Sequence, residues 1–275
     1  MLEGIRIIEL EGLGPGPFAA MMLADLGADV IVVHRPSPSV STMPEQNIID
    51  RGKRSIVLDL KNKDDFANMK KLIATADGLI EGFRPGVMEG LGLGPEVVHK
   101  DHPGLVYGRM TGWGQNGPKA KDAGHDLNYI ALSGALWYAS SAGTPPFTPP
   151  TLAGDIGGGA LYLVAGILAG LLRAQNTGKG TVIDAAIVDG SAHMMNLLMS
   201  TQAAGLLSPI RGESFLDGPP WSRCYACADD EWVSVQCLEP KFYAVFIEKL
   251  DLKNDPDFNQ QMDQSVWPKM TARLE

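Results

Sequence analysis

The chain has 275 residues, 45% of them apolar and 20% charged, the balance of a globular protein with a sizeable core. A net charge of −9 argues against nucleic acid as the main partner, because phosphate backbones are held by clustered cations. An anionic ligand would have to be gripped by a few local Arg and Lys side chains.

Ile5–Leu10 is a β-branched run closed by turn residues and is expected to be a buried strand. A loop over Gly12–Pro17 and a helix over Phe18–Gly27 lead to a second strand at Asp29–Val33. This β-α-β unit predicts a right-handed crossover and a parallel sheet. Further strands read at Ser55–Leu58, Gly78–Ile80 and Leu105–Tyr107, with helices at Asp64–Ala76 and Pro95–Asp101 between them. Such alternation predicts an α/β fold with a doubly wound, Rossmann-like parallel sheet. Ser141–Pro150, with four prolines, reads as an extended linker or lid. Helices are expected at Gly157–Ala174 and at Gly190–Leu206, with a strand at Thr181–Ala185 between them. Ala160–Leu172, the longest apolar run, is too short for a bilayer and reads as a buried helix, so no membrane span is expected. Tyr225–Asp229 and Trp232–Gln236 suit a hairpin, followed by a helix over Phe242–Leu250. The expected division is a large α/β domain over residues 1–205 and a smaller α+β region over 206–275.

Met1–Arg6 lacks the basic start and apolar core of a signal peptide. Three cysteines fit a reducing compartment; the expected location is the cytoplasm if the chain is bacterial and the mitochondrion or peroxisome if it is eukaryotic. Cys224-Tyr-Ala-Cys227 has no second pair and no His at ligand spacing, so these read as incidental strand or loop cysteines and no metal site is expected. His193, His99 and His102 read as structural or exposed. Met194, Met195 and Met199 suit core filling or a soft floor for an acyl chain.

Gly12-Leu-Gly-Pro-Gly-Pro17 sits where a dinucleotide fingerprint would sit. Pro17 takes the place of a helix-packing glycine, and no acid follows the second strand to hold a ribose. A tight β-α turn, or a phosphate-bearing ligand near Arg35, is the better reading. Lys53 and Arg54, in Arg51-Gly-Lys-Arg54, are candidate phosphate contacts, with a solvated loop as the alternative. Arg84, before the Pro85-Gly86 turn, is expected at the carboxyl end of a strand, where open α/β sheets bind ligands.

The chemistry concentrates in Gly124-His125-Asp126-Leu-Asn-Tyr129 and in Gly154-Asp155-Ile-Gly-Gly-Gly159. An imidazole and a carboxyl in separate settings can face each other across a carbon, one taking a proton and one giving it. Taken alone, each is more often a helix cap than a catalyst. The Asp126 backbone N–H, at the start of a helix expected over Leu127–Leu136, is the candidate donor to an enolate oxygen.

Together with Glu9–Phe18, Arg51–Lys61, Phe83–Glu89, Thr177–Asp184 and Glu239–Tyr243, these segments stand in an order that resembles the family III CoA-transferases, and within them the α-methylacyl-CoA racemases. The resemblance runs nearly the whole length. It implies an acyl-CoA thioester substrate, no cofactor beyond the CoA of the substrate, and an interlocked homodimer. It carries over His125 and Asp155 as the catalytic pair, with Asp126 and Glu239 as partners of the imidazole. By the same likeness Arg35, Lys53, Arg54, Arg84, Gly124 and Tyr129 are candidates for CoA binding. Two departures stand out: Gly90 follows Glu89 where some racemases carry a cation, and the family continues beyond Glu275. The alternatives are transfer of CoA between acids through an Asp155 thioester, or an inactive CoA-binding paralogue.

Overall fold

A computed structural model describes residues 1–37 and 47–275. The apolar runs of the first half become a six-stranded sheet in the order β3-β2-β1-β4-β5-β6, every pairing parallel. The strands are β1 (Arg6–Leu10), β2 (Asp29–His34), β3 (Lys53–Val57), β4 (Gly78–Glu81), β5 (Val106–Thr111) and β6 (Thr181–Ala186). Side-chain alternation divides each of the inner strands β1, β2, β4 and β5 between two cores. Ile7, Val30, Ile80 and Val106 face one cluster, which α1 (Pro15–Asp25) and α6 (Leu161–Thr177) complete with Ala19, Leu23, Leu163 and Ile167. Ile8, Ile31, Val33, Leu79 and Tyr107 face the other, covered by α2 (Lys63–Ile73), α3 (Val87–Gly90) and α4 (Pro95–Asp101). Burial on both faces is why these strands read as unbroken apolar runs.

The strand order reverses between β1 and β4. Their carboxyl ends therefore open a crevice at the topological switch point, the usual ligand position in such sheets. Two boundaries differ from expectation for physical reasons. Helix α1 starts at Pro15, because proline is tolerated where the helix has no acceptor for an N–H. β5 runs on to Thr111, because the charge of Arg109 is buried and paired.

The expected helix at Gly157 begins earlier and differently. Leu152–Ala160 winds as a π-helix and continues into α6 without a break. Together they make a 26-residue helix that is, among the described residues, the one long and apolar enough to cross a membrane. Its Leu163, Val164, Ile167 and Leu171 are buried in the sheet's core. Gly166 and Gly170 permit that fit, since a Cβ at either would come within 2.5 Å of Ile183 or Val106. The helix expected over Gly190–Leu206 is two, α7 (Ile187–Met194) and α8 (Asn196–Ala203).

The chain forms two compact units, one of Met1–Leu136 with Thr148–Met195, the other of Trp137–Phe147 with Asn196–Glu275. The second thus begins ahead of residue 206 and takes in the proline-rich segment as far as Phe147. Trp137 Nε1 donates to the Pro209 carbonyl at 3.2 Å, and Arg211 reaches the carbonyls of Ala139 and Thr144. It also contains the hairpin of β7 (Ser222–Ala226) and β8 (Trp232–Gln236), then α9 (Pro240–Lys249) and α10 (Trp267–Leu274). Cys224 lies on β7 and Cys227 in the turn after it.

Candidate active site

His125 and Asp155 lie 30 positions apart in the chain, yet one side chain ties their backbones together. His125 is the N-cap of α5 (Asp126–Ser133), with extended backbone, and its N–H donates to Asn128 Oδ1 at 3.0 Å. Asp126 is the first helical residue and is buried. Its Oδ1 accepts the N–H groups of Gly154 and Asp155, at 2.9 and 2.8 Å. The start of α5 is thereby fastened to the π-helical turn that carries Asp155. Only glycine fits at position 154, because a Cβ there would sit 2.4 Å from Asp126 Oδ1.

Asp155 is half-buried, and a third element closes on it. The β1–α1 loop brings Gly14, at φ 67°, so near that an added Cβ would lie 4.0 Å from Asp155 Oδ2. The positive φ itself favours glycine. The loop read as a turn or phosphate grip in the sequence therefore meets a carboxyl. Burial first, then the negative charge of Asp126, push Asp155 up to about 6, with His125 pulling it down. A carboxyl so tuned can hold a proton near neutrality and give it up. Since Asp126 already holds the amides of residues 154 and 155, the N–H left for a substrate oxygen is that of Asp126, which has no intrahelical acceptor at its first-turn position.

The backbone around Asp155 is unusual. Thr151, just before the π-helix, holds φ 63° without being glycine, a strained conformation found at working sites. Gly158 and Gly190 bring the π-helix and α7 into backbone contact: a Cβ on Gly190 would lie 1.9 Å from the Gly158 carbonyl oxygen. π-helical turns are rare and concentrate where function demands a special side-chain direction.

The structure sorts the other sequence candidates. Arg35 follows β2 at the carboxyl edge, with its backbone N–H on Glu11 Oε2 at 3.0 Å and its side chain 53% exposed. It lines a hollow of about 240 Å³ with His34, Asp59, Lys61 and Phe83. Arg84, next in the chain to Phe83, is exposed. Arg35 Nε stands 3.8 Å from Glu11 Oε2, a partly exposed pair that an anionic ligand could compete with, and Arg84 has no ion pair among the described residues.

Lys53 and Arg54 need correction. Lys53 is buried, its Nζ 2.7 Å from Glu9 Oε2 and 2.9 Å from the Pro17 carbonyl, so its charge is already matched inside the protein. Arg54 sits at the amino end of the strands, bound to Asp29 Oδ1 at 2.5 Å, on the edge opposite the crevice. Gly124 and Tyr129 are engaged with each other. Tyr129 is buried, donates its hydroxyl to the Gly124 carbonyl and meets Trp113 edge-on at 4.7 Å, so the two brace the loop before His125. Asp126 holds the backbone of Asp155 rather than the imidazole. Glu239 belongs to the second unit, where it is the N-cap residue of α9 without a capping bond from its side chain. His99 and His102 are half-buried, not exposed, and their Nε2 atoms bond to the carbonyls of Leu105 and Ala76. His193 Nδ1 pairs with the Tyr162 hydroxyl at 2.6 Å.

Sequence reasoning missed Arg109, Glu81 and Glu9, buried charges at or near the carboxyl edge of the sheet. Their signal was legible: a single charged residue inside an apolar strand demands a buried partner.

The sequence matches the profile of CoA-transferase family III over residues 2–275. It is 44% identical over 274 residues to alpha-methylacyl-CoA racemase of Homo sapiens, covering 99% of this chain and 70% of that one. The racemase of Mus musculus is 42% identical over 275 residues, covering 100% and 71%. The crystal structure of a CAIB/BAIF family protein from Brucella suis aligns with a TM-score of 0.82 at 28% identity, covering 100% of this chain and 77% of that chain.

Proposed function

The chain belongs to CoA-transferase family III, and from that premise we propose that it racemises 2-methylacyl-CoA thioesters by proton transfer at the α-carbon. It is an isomerase of the kind named in its racemase relatives. The observation that carries the reading is the joined His125–Asp126–Asp155 arrangement, with the Asp155 carboxyl raised to about 6.

In one direction the α-C–H bond breaks and its proton passes to His125. The electron pair moves onto the thioester as an enolate, whose oxygen the Asp126 N–H stabilises at the amino end of α5. Protonated Asp155 then delivers its proton to the opposite face. The reverse direction exchanges the two roles. These two side chains carry both protons, so the step calls for no metal or redox cofactor, and CoA enters as part of the substrate.

Arg35 and Arg84, exposed at the carboxyl edge, are the groups assigned to the CoA phosphates. His125 is exposed in the single chain, a state that suits closure of the site in an interlocked homodimer. Transfer of CoA between acids would instead use Asp155 as a nucleophile and leave His125 idle.

The test is to incubate a single-configuration 2-methylacyl-CoA in deuterated buffer and follow configuration and label together. Inversion with one solvent deuteron at the α-carbon is expected. Product that keeps its original α-hydrogen through many turnovers overturns the two-base scheme, and hydroxylamine-sensitive loading of Asp155 would mark the transferase.

A further inference from the structure

Arg109 is 5% exposed in the middle of the sheet, and a buried guanidinium must find partners for its donors. Its Nε donates to Glu81 Oε1 at 2.8 Å. Its Nη1 and Nη2 donate to the two oxygens of Glu89 at 2.7 and 3.2 Å. Glu81, itself 1% exposed, is the last residue of β4, and its second oxygen accepts the Phe83 N–H at 2.7 Å. One guanidinium therefore grips both ends of the segment from Glu81 to Glu89, and between those ends lies Arg84. The segment needs such a grip. Gly82 follows the strand, Gly86 turns the chain at φ 92°, and Arg84 itself is solvent-exposed. Its other anchors include the Val87 N–H to Arg84 carbonyl bond at 3.1 Å, the Gly90 N–H to Gly86 carbonyl bond at 2.9 Å, the buried Met88 and Phe83 packed on the core.

We propose that Arg109 is a positioning residue for CoA binding: by bridging Glu81 and Glu89 it fixes the Phe83–Gly86 turn, and with it the direction in which Arg84 meets a phosphate. The proposal rests on the reading of Arg84 as a CoA contact. A guanidinium is required because its planar fork serves two carboxylates at once, which an ammonium on a flexible stem does not. Glu89 is half exposed, so removing it loosens the grip while leaving the buried Arg109–Glu81 pair intact.

The experiment titrates free CoA calorimetrically into the full chain and its Glu89→Ala, Arg109→Lys, Arg84→Ala and Glu89→Ala/Arg84→Ala variants, with circular dichroism as the check on folding. Glu89→Ala and Arg109→Lys are each expected to weaken CoA binding about tenfold, and the loss should appear in KM for the thioester rather than in kcat. The double variant should bind no more weakly than Arg84→Ala alone, because a turn can misplace only a side chain that is present. Full multiplication of the two losses, or wild-type affinity in Glu89→Ala, overturns the proposal. Wild-type affinity in Arg84→Ala overturns the reading of Arg84 itself. That failure is distinguishable, since a failed clamp leaves Arg84→Ala weak and Glu89→Ala strong. Should Arg109→Lys not fold, the half-exposed Glu89 decides.

Discussion

Asp155 and Glu9 are carboxyl groups in the same unit, both removed from bulk water, and the fold treats them oppositely. Glu9 is 2% exposed and has an ammonium 2.7 Å away, matched by the equally buried Lys53. Burial raises the pKa of both, but Lys53 pulls Glu9 back down whereas a second carboxylate, Asp126, pushes Asp155 further up. Charge is neutralised inside the sheet and left unbalanced at the proposed site of proton transfer. The same division separates Arg109, held by two glutamates, from Arg84, held by none among the described residues.

The largest effects should come from removing the mobile proton carriers. His125→Asn and Asp155→Asn should each lower racemisation by roughly a factor of a thousand. Each should still exchange the α-hydrogen of one configuration in deuterated buffer, because the surviving group serves its own face. Loss of exchange for both configurations in either variant would show that the two groups do not act on separate faces. Next in size is the matched pair. Lys53→Met leaves Glu9 buried and alone, an expected cost of about 3–5 kcal/mol in denaturant unfolding, and Glu9→Met in the same chain should recover most of it. A Lys53→Met chain as stable as the parent would mean that the pair contributes nothing to rigidity.

The smallest effect concerns Asp155 as a liability. Its native pKa, about 6, lies above the ordinary 3.8, so the folded state binds its proton more tightly than the unfolded chain does. Stability from this group is complete below the ordinary value and is lost as pH rises through about 6. Asp155→Asn should therefore unfold at a higher temperature than the parent at pH 8, with no advantage at pH 3.5, by on the order of 1 kcal/mol after solvent screening. An advantage that does not change with pH would point to packing instead.

The sheet was legible because doubly buried strands print themselves as β-branched runs: Arg6–Leu10 and Asp29–His34 lie within a residue of expectation. The proposed pair, His125 and Asp155, was suggested by the order of several segments, not by either residue alone. Lys53 and Arg54 misled because adjacency in sequence hides that alternate strand residues point to opposite faces, one into the core and one to an exposed edge. The proline-rich segment joined the second unit through Trp137 and Arg211, contacts between positions some 70 residues apart that no local pattern announces. The π-helix left no trace either, since a hydrogen bond to the fifth residue instead of the fourth has no compositional mark.

That wider winding means that Asp155 is aimed by arithmetic. Counted back from α6, whose apolar side is moored in the sheet, the acid's bearing depends on how many residues Leu152–Ala160 spends on each turn. Dropping one glycine from Gly157–Gly159 with the wide winding kept would swing everything before it by roughly 80°. The mooring would survive while the acid took a new bearing, so the length of this segment is as closely fixed as its glycines at 154 and 158.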